Sequence, residues 1–367
     1  MRVLVLNWRD MKNPRAGGAE VVTDNILRGL ADMGHDVTLF TSEFSGARTY
    51  EDVGYARIIR SGSVKTVYVH AFLYFLRHSS EFDFVIESVS AVPFFTPLYF
   101  NSRRTVIIPH HLVGRVIFKE LGLPSAVPAF VAEKLIPYFY RGSNFIAVSE
   151  SVRKELIDSG VDPRRISVCL FGTHLLFVPA RLPKYRTPTV LALSRLKRYK
   201  RIDLILSAFK RVLEKVNARL IVVGSGEESQ RLKQYAARLG INKAVRFVGH
   251  VSEKTKSELL SRSWVFATAS EREGFGIGAL EAEMSSTPVV AFNAGGLKEA
   301  VMNNYSGFIV DEGDEEKFAE RLVSLLSNKR LMASMSHNAA RYGTKFDSKR
   351  AIAKIDELMR KNQRGKR

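Results

Sequence analysis

Two carboxylates, Glu273 and Glu281, flank the turn Gly274-Phe275-Gly276 in the stretch SEREGFGIGALEAEMSSTPVV, residues 270 to 290. VFATAS before it reads as a strand and IGALEAEMSS after it as a helix, so the glycines fall at a helix N-terminus. Unpaired amides and the helix dipole favour an anion there, and glycine lets a phosphate come close to the backbone. On one continuous helix the two acids would stand about 80° and ~12 Å apart, too far to share a proton. They read instead as separate acceptors for sugar hydroxyls. A ligand carrying both phosphate and hydroxyls satisfies every part; the plainer alternative is a tight strand–helix turn with surface glutamates.

The elements that must hold this turn alternate along the chain. VLVLN (3–7), DVTLFTS (36–42), FDFVIES (82–88), TVIIPHH (105–111) and NFIAVS (144–149) read as buried parallel strands. Between the first two, Val22, Ile26, Leu30 and Met33 recur at helical spacing and Gly34 supplies a stop. FVPARLPKYRTPT (177–189) has a linker's composition, and the alternation then restarts with TVLALSR, RLIVVGSG, VRFVGHV, VFATAS and PVVAFN. The expectation is an α/β fold of two doubly wound, Rossmann-like domains, whose ligands bind beyond the carboxyl ends of the strands in a cleft between them.

The ordered motifs resemble family-four retaining glycosyltransferases of the GT-B type. E-G-F-G-x-G-x-L-E-A followed by T-P-V-V resembles that family's E-x7-E signature. NPRAGGAE (13–20), SRLKRYK (194–200), VVGSGEE (222–228), RFVGHV (246–251), AGGLKEAV (294–301) and YSGFIV (305–310) follow in the family's order. The resemblance implies an N-terminal domain at 1–182 on the acceptor side and a donor-binding domain at 183–345, with a helix at about 346–362 packing back on the first. It implies a nucleotide-sugar donor, Arg195 and Lys200 as the clamp on the departing diphosphate, and Glu273 at the transferred sugar. It implies Glu281 on the ribose hydroxyls and the Gly274, Phe275 and Gly276 amides along sugar and phosphate. Gly17 and Gly18 would close over the phosphates. His110, with His111 as the neighbouring alternative, would stand by the donor sugar.

The sequence departs from the family pattern at several positions. Glu283 and Met284 replace a small apolar pair, Ser286 and Ser194 replace glycines, and His174 stands where the family has Asp. No Asp-x-Asp element occurs, so no metal is expected, and cations and helix dipole take its place. No cofactor is expected beyond the donor substrate.

A net charge of +19 implies acidic partners, among them nucleotide phosphates and anionic lipid. YVHAFLYFLRH (68–78) and LVGRVIFKELG (112–122) mix apolar, aromatic and basic residues; they suit either a core or a lipid interface next to a glycan or polyprenyl-linked acceptor. No stretch reaches the roughly 20 clean apolar residues of a bilayer span. A single cysteine, Cys169, excludes an intramolecular disulfide framework. The expected setting is cytoplasmic, extending to the inner face of the membrane. A sugar-nucleotide epimerase with the same two-domain fold is the alternative, but the first domain shows no convincing acid/base set. Dispersed basic residues without a recognition motif argue against nucleic acid.

Overall fold

A computed structural model of the chain describes residues 1–90, 92–120, 122–172 and 177–364. It divides into two compact units, Met1–Phe171 with Asp347–Arg367, and Gly172–Phe346. His174 lies outside the described residues, as does the end of the basic tail.

In the first unit the strands are β1 (Arg2–Leu6), β2 (Asp36–Thr41), β3 (Tyr50–Asp52), β4 (Arg57–Arg60), β5 (Phe84–Val89), β6 (Thr105–Pro109), β7 (Asn144–Ala147) and β8 (Ile166–Val168). Their order is β3-β4-β2-β1-β5-β6-β7-β8, parallel throughout except for the antiparallel edge pair β3–β4. In the second unit β9 (Thr189–Leu193), β10 (Arg219–Val223), β11 (Val245–Gly249), β12 (Val265–Thr268), β13 (Val289–Phe292) and β14 (Gly307–Val310) form an all-parallel sheet, β11-β10-β9-β12-β13-β14. Central strands such as VLVL of β1 and VVAF of β13 are buried at every position, because helices cover both faces of a parallel sheet.

Strands β3, β4 and β8 escape the apolar-run reading. β4 is RIIR, and its Arg60 is fully buried because Asp10 Oδ2 accepts from Nε at 2.6 Å and Glu51 Oε2 from Nη2 at 3.0 Å. A buried guanidinium is tolerated when carboxylates pair it. Glu87 on β5, also fully buried, accepts from the Phe94 amide (2.5 Å), the Thr96 hydroxyl (2.6 Å) and the Tyr140 hydroxyl (2.7 Å). It thereby fixes the chain at residues 94–96, beyond β5.

The C-terminal helix Ser348–Arg364 packs on helix Gly18–Asp32 of the first unit. The contact is close: a Cβ on Gly29 would stand 2.2 Å from Ile352 Cδ1. His35 Nε2 lies 2.9 Å from Asp356 Oδ1. Within residues 112–120 the chain forms a 3-10 turn, Gly114–Val116, followed by the short helix Ile117–Glu120.

Candidate functional site

The loops at the carboxyl ends of β9, β10, β12 and β13 interlock. Arg195 and Lys200 follow β9, and Lys200 closes a 3-10 turn whose successor, Arg201, takes a left-handed φ of 47°. Lys200 Nζ donates to Glu273 Oε1 at 2.5 Å, and Ser270 Oγ donates to the same oxygen at 2.9 Å. Burial by itself would lower the Lys200 pKa, but the Glu273 carboxylate, with Tyr199, outweighs it and raises the pKa above the usual lysine value. The ammonium is therefore held charged. Arg195 is exposed, and its Nη2 donates to the Tyr199 hydroxyl at 3.1 Å. The Glu271 amide donates to Tyr199 O at 2.9 Å, tying the β12 loop to the β9 loop.

Glycines make this close approach possible. A Cβ at Gly295 would lie 2.0 Å from Glu273 O, and one at Gly296 would lie 2.2 Å from Gly274 O. Gly276 caps helix Ile277–Met284 with φ 91°, a left-handed backbone that glycine adopts at little cost. Phe275 contributes only backbone to this edge: its ring is buried 5.3 Å from that of Phe346.

Glu281 lies one helical turn further in, only 3% exposed, and its Oε1 accepts from Lys256 Nζ at 2.7 Å. Burial raises the Glu281 pKa and Lys256 pulls it back down. Two residues on, Glu283 is fully buried; Ser306 Oγ donates to its Oε1 at 2.6 Å, and Oε2 has no partner. Burial pushes that carboxyl up to about 8. The net effect leaves the Glu281 pKa above the ordinary carboxyl value with Lys256 opposing the rise, whereas Glu283 has no cation to oppose its own.

In the first unit His110 follows β6 and is 6% exposed. Its Nε2 lies 2.8 Å from Ser88 Oγ, which lies 3.1 Å from Thr23 Oγ1, which accepts from Asn7 Nδ2 at 3.1 Å. Burial, with His111 beside it, lowers the His110 pKa to about 3, so the ring is neutral. Gly17 and Gly18 open helix Gly18–Asp32 after β1, and the Glu20 carboxylate accepts from the Gly17 amide at 2.7 Å. Both features lie where strands of the first sheet end.

Helix Val67–His78 turns Val69 (59% exposed), Phe72, Leu73 and Leu76 (58%) outward, and helix Leu123–Lys134 turns Leu123 (68%), Val127 and Val131 outward. Among the described residues no helix is long and apolar enough to cross a membrane, and no three His, Cys, Asp or Glu side chains gather as metal ligands.

Sequence reading singles out Lys200, Glu273 and the glycine turn, and the fold brings these together. It misses Lys256, which sits in an ordinary-looking charged helix; nothing in EKTKSELLSR marks one lysine as buried. It also misses the Ser88–Thr23–Asn7 chain behind His110.

The Glycosyl transferases group 1 family matches residues 179–342, and Glycosyltransferase Family 4 matches residues 16–175. N-acetyl-alpha-D-glucosaminyl L-malate synthase of Bacillus anthracis is 27% identical over 179 residues, 47% of this chain and 46% of that protein. The chain spans about half the length of several such curated relatives. The GDP-mannose-dependent alpha-(1-6)-phosphatidylinositol monomannoside mannosyltransferase of Mycobacterium tuberculosis is 26% identical over 344 residues, 86% of this chain and 87% of the relative. Sucrose-phosphate synthase of Thermosynechococcus elongatus shares the fold with a TM-score of 0.83 at 19% identity, covering 98% of this chain and 99% of the other. The chain belongs to family four of the glycosyltransferases, the group 1 transferases, and has their GT-B fold of two Rossmann-like units.

Proposed function

We propose that the protein is a retaining glycosyltransferase that moves a hexose from a nucleotide-sugar to a glycan or lipid-linked acceptor. The observation that carries this reading is the Lys200–Glu273 pair seated beside the Gly274–Gly276 turn at the strand ends of the second unit. Departure of a nucleoside diphosphate builds negative charge, and prepositioned cations and amides lower the cost of that charge. An ammonium has three N–H donors. Lys200 uses one on Glu273 and has others for phosphate oxygens, and Arg195 adds a second cation on the same loop. Glu273 accepts from hydroxyls of the transferred sugar and Glu281 from those of the ribose. His110, held neutral, hydrogen-bonds the donor sugar without adding charge, and Gly17 and Gly18 let backbone approach the phosphates. The acceptor attacks from the face the diphosphate leaves, and a leaving phosphate oxygen takes its proton. No metal takes part in this scheme, so chelation with EDTA leaves the rate unchanged.

The donor class is supported by the M. tuberculosis relative, whose name specifies GDP-mannose and a phosphatidylinositol mannoside. The outward apolar stripes of the first unit, on a chain of net charge +19, support work at an anionic membrane surface on the cytoplasmic side. A thermal-shift panel of UDP-, GDP- and ADP-sugars, followed by product analysis with the best ligand, tests the reading. Stabilisation by one nucleotide class and a glycosylated product with retained anomeric configuration are expected; no shift and no product with any of them would overturn it. Flotation with vesicles of 30 mol% anionic lipid should carry the protein, and flotation indifferent to lipid charge would remove the membrane part.

A further inference from the structure

We propose that Lys256 is a positioning residue of the donor site: it keeps the buried Glu281 ionised and fixes its carboxylate for hydroxyls of a nucleoside diphosphate. The proposal rests on the donor reading above and adds a residue to it.

Lys256 lies on helix Glu253–Arg262, on a different segment from every other residue assigned to the donor. Its Nζ is 2.7 Å from Glu281 Oε1 and 2.7 Å from Glu253 Oε2, and its side chain is 11% exposed. The Phe177 ring lies 5.4 Å from Nζ, and Ser257 Oγ donates to Val178 O at 2.7 Å, so the chain at 177–178 is fastened over this helix. Burying an ammonium is costly without compensation, and here two carboxylates and a ring face compensate it.

The pairing has a chemical consequence. A carboxyl as buried as Glu281 drifts toward its neutral form, and a neutral acid is a poorer acceptor for two vicinal hydroxyls. Lys256 opposes that drift, and Glu253 works against Lys256 by adding a like charge near Glu281. The hydrogen bond from Lys256 falls on Oε1, leaving Oε2 for the ligand's hydroxyls. Among the other elements packed on helix Ile277–Met284, strands β12 and β13 bring no titratable side chain. Tyr342 of the neighbouring helix Lys329–Gly343 feels Glu283 and Glu299, and neither Tyr342 nor Glu299 acts on Glu281. Control of Glu281 therefore rests with Lys256 and Glu253.

The test is calorimetric binding of UDP, GDP and ADP, and of the 2′-deoxy form of the tightest, from pH 5.5 to 9 with full-length protein. K256M is expected to bind the ribo-diphosphate at least tenfold more weakly at pH 6, to recover toward pH 9 as Glu281 ionises, and to lose the wild-type preference over the deoxy form. K256R should stay within threefold of wild type. E281Q should be weak at every pH, and E281Q combined with K256M should be no weaker than E281Q alone. E253Q, changed at an exposed position, should move the acid limb of binding to lower pH. K256M binding like wild type at all pH values, while E281Q is weak, overturns the role of Lys256 and leaves the donor reading standing. E281Q binding like wild type overturns the assignment of Glu281 itself. If K256M does not fold, K256R and E253Q decide: an acid limb unmoved in E253Q overturns the proposal.

Discussion

Lys200 Nζ donates to Glu273 Oε1 across 2.5 Å although 73 residues separate the two in the chain. The pair joins the loop after β9 to the loop after β12, and each partner has a consequence for the other. Without Glu273 the lysine is a buried cation whose charge is disfavoured; without Lys200 the carboxylate loses its nearest cation. The pair is thus set to present a fixed positive charge beside an acceptor of sugar hydroxyls.

K200A should lower turnover by about 100-fold or more, the scale of losing one prepositioned donor to transition-state charge. Acceptor KM should change far less. K200R should recover part of the loss, because Arg keeps the charge with a different reach. Steady-state kinetics checks this; unchanged kcat in K200A would discredit the clamp.

His110 should act as a neutral hydrogen-bonding group across the working pH range, since its pKa is lowered to about 3. H110A should cost roughly tenfold in kcat, the worth of one hydrogen bond. The wild-type and H110N rate profiles should run parallel from pH 5 to 8. A limb in that window present in wild type and absent in H110N would show that the ring titrates there.

Glu283 should make the protein less stable as pH rises. Its folded pKa, about 8, lies above the ordinary 4.5, so the folded state binds more protons than the unfolded one between these values. Stability from this group is complete below about pH 4.5 and is lost toward pH 8 at about 1.4 kcal/mol per unit. E283Q keeps an oxygen for the Ser306 hydroxyl and cannot ionise. Its Tm should gain on wild type by about 3–5 °C per pH unit across that window. Parallel melting curves for the two proteins would show that Glu283 is not held neutral.

G296A should weaken donor binding, because a Cβ there meets Gly274 O at 2.2 Å and Phe275 Cα at 2.7 Å, and backbone has nowhere to go. The Glu273–Gly276 turn must shift. G313A is the control: its φ is 86° but nothing lies within 4 Å of the added Cβ. It should lose about 1 kcal/mol of stability and keep donor affinity. Equal affinity for donor in both variants would show that the turn does not touch the ligand.

Much of this architecture is written in local pattern. The runs VLVL, VIIP and VVAF are apolar at every position, as strands covered on both faces must be, and the intervening helical spacing is equally plain. The glycine turn after VFATAS and the basic stretch after TVLALS are legible for the same reason: each is a few consecutive residues whose chemistry is fixed by type and order. RIIR was illegible as a strand because its Arg60 is buried only by virtue of Asp10 and Glu51, which lie elsewhere in the chain.

What the sequence by itself determined was the succession of strands and helices and the residues offered at strand ends. The partners those residues take were decided only by tertiary structure. That Lys256 rather than any of its charged neighbours reaches Glu281, that Glu283 meets only a hydroxyl, and that His110 ends a chain through Ser88 and Thr23 all follow from how distant segments pack. The reason is physical: a side chain's charge state depends on its desolvation and its nearest ion, and both are set by packing rather than by neighbours in the chain.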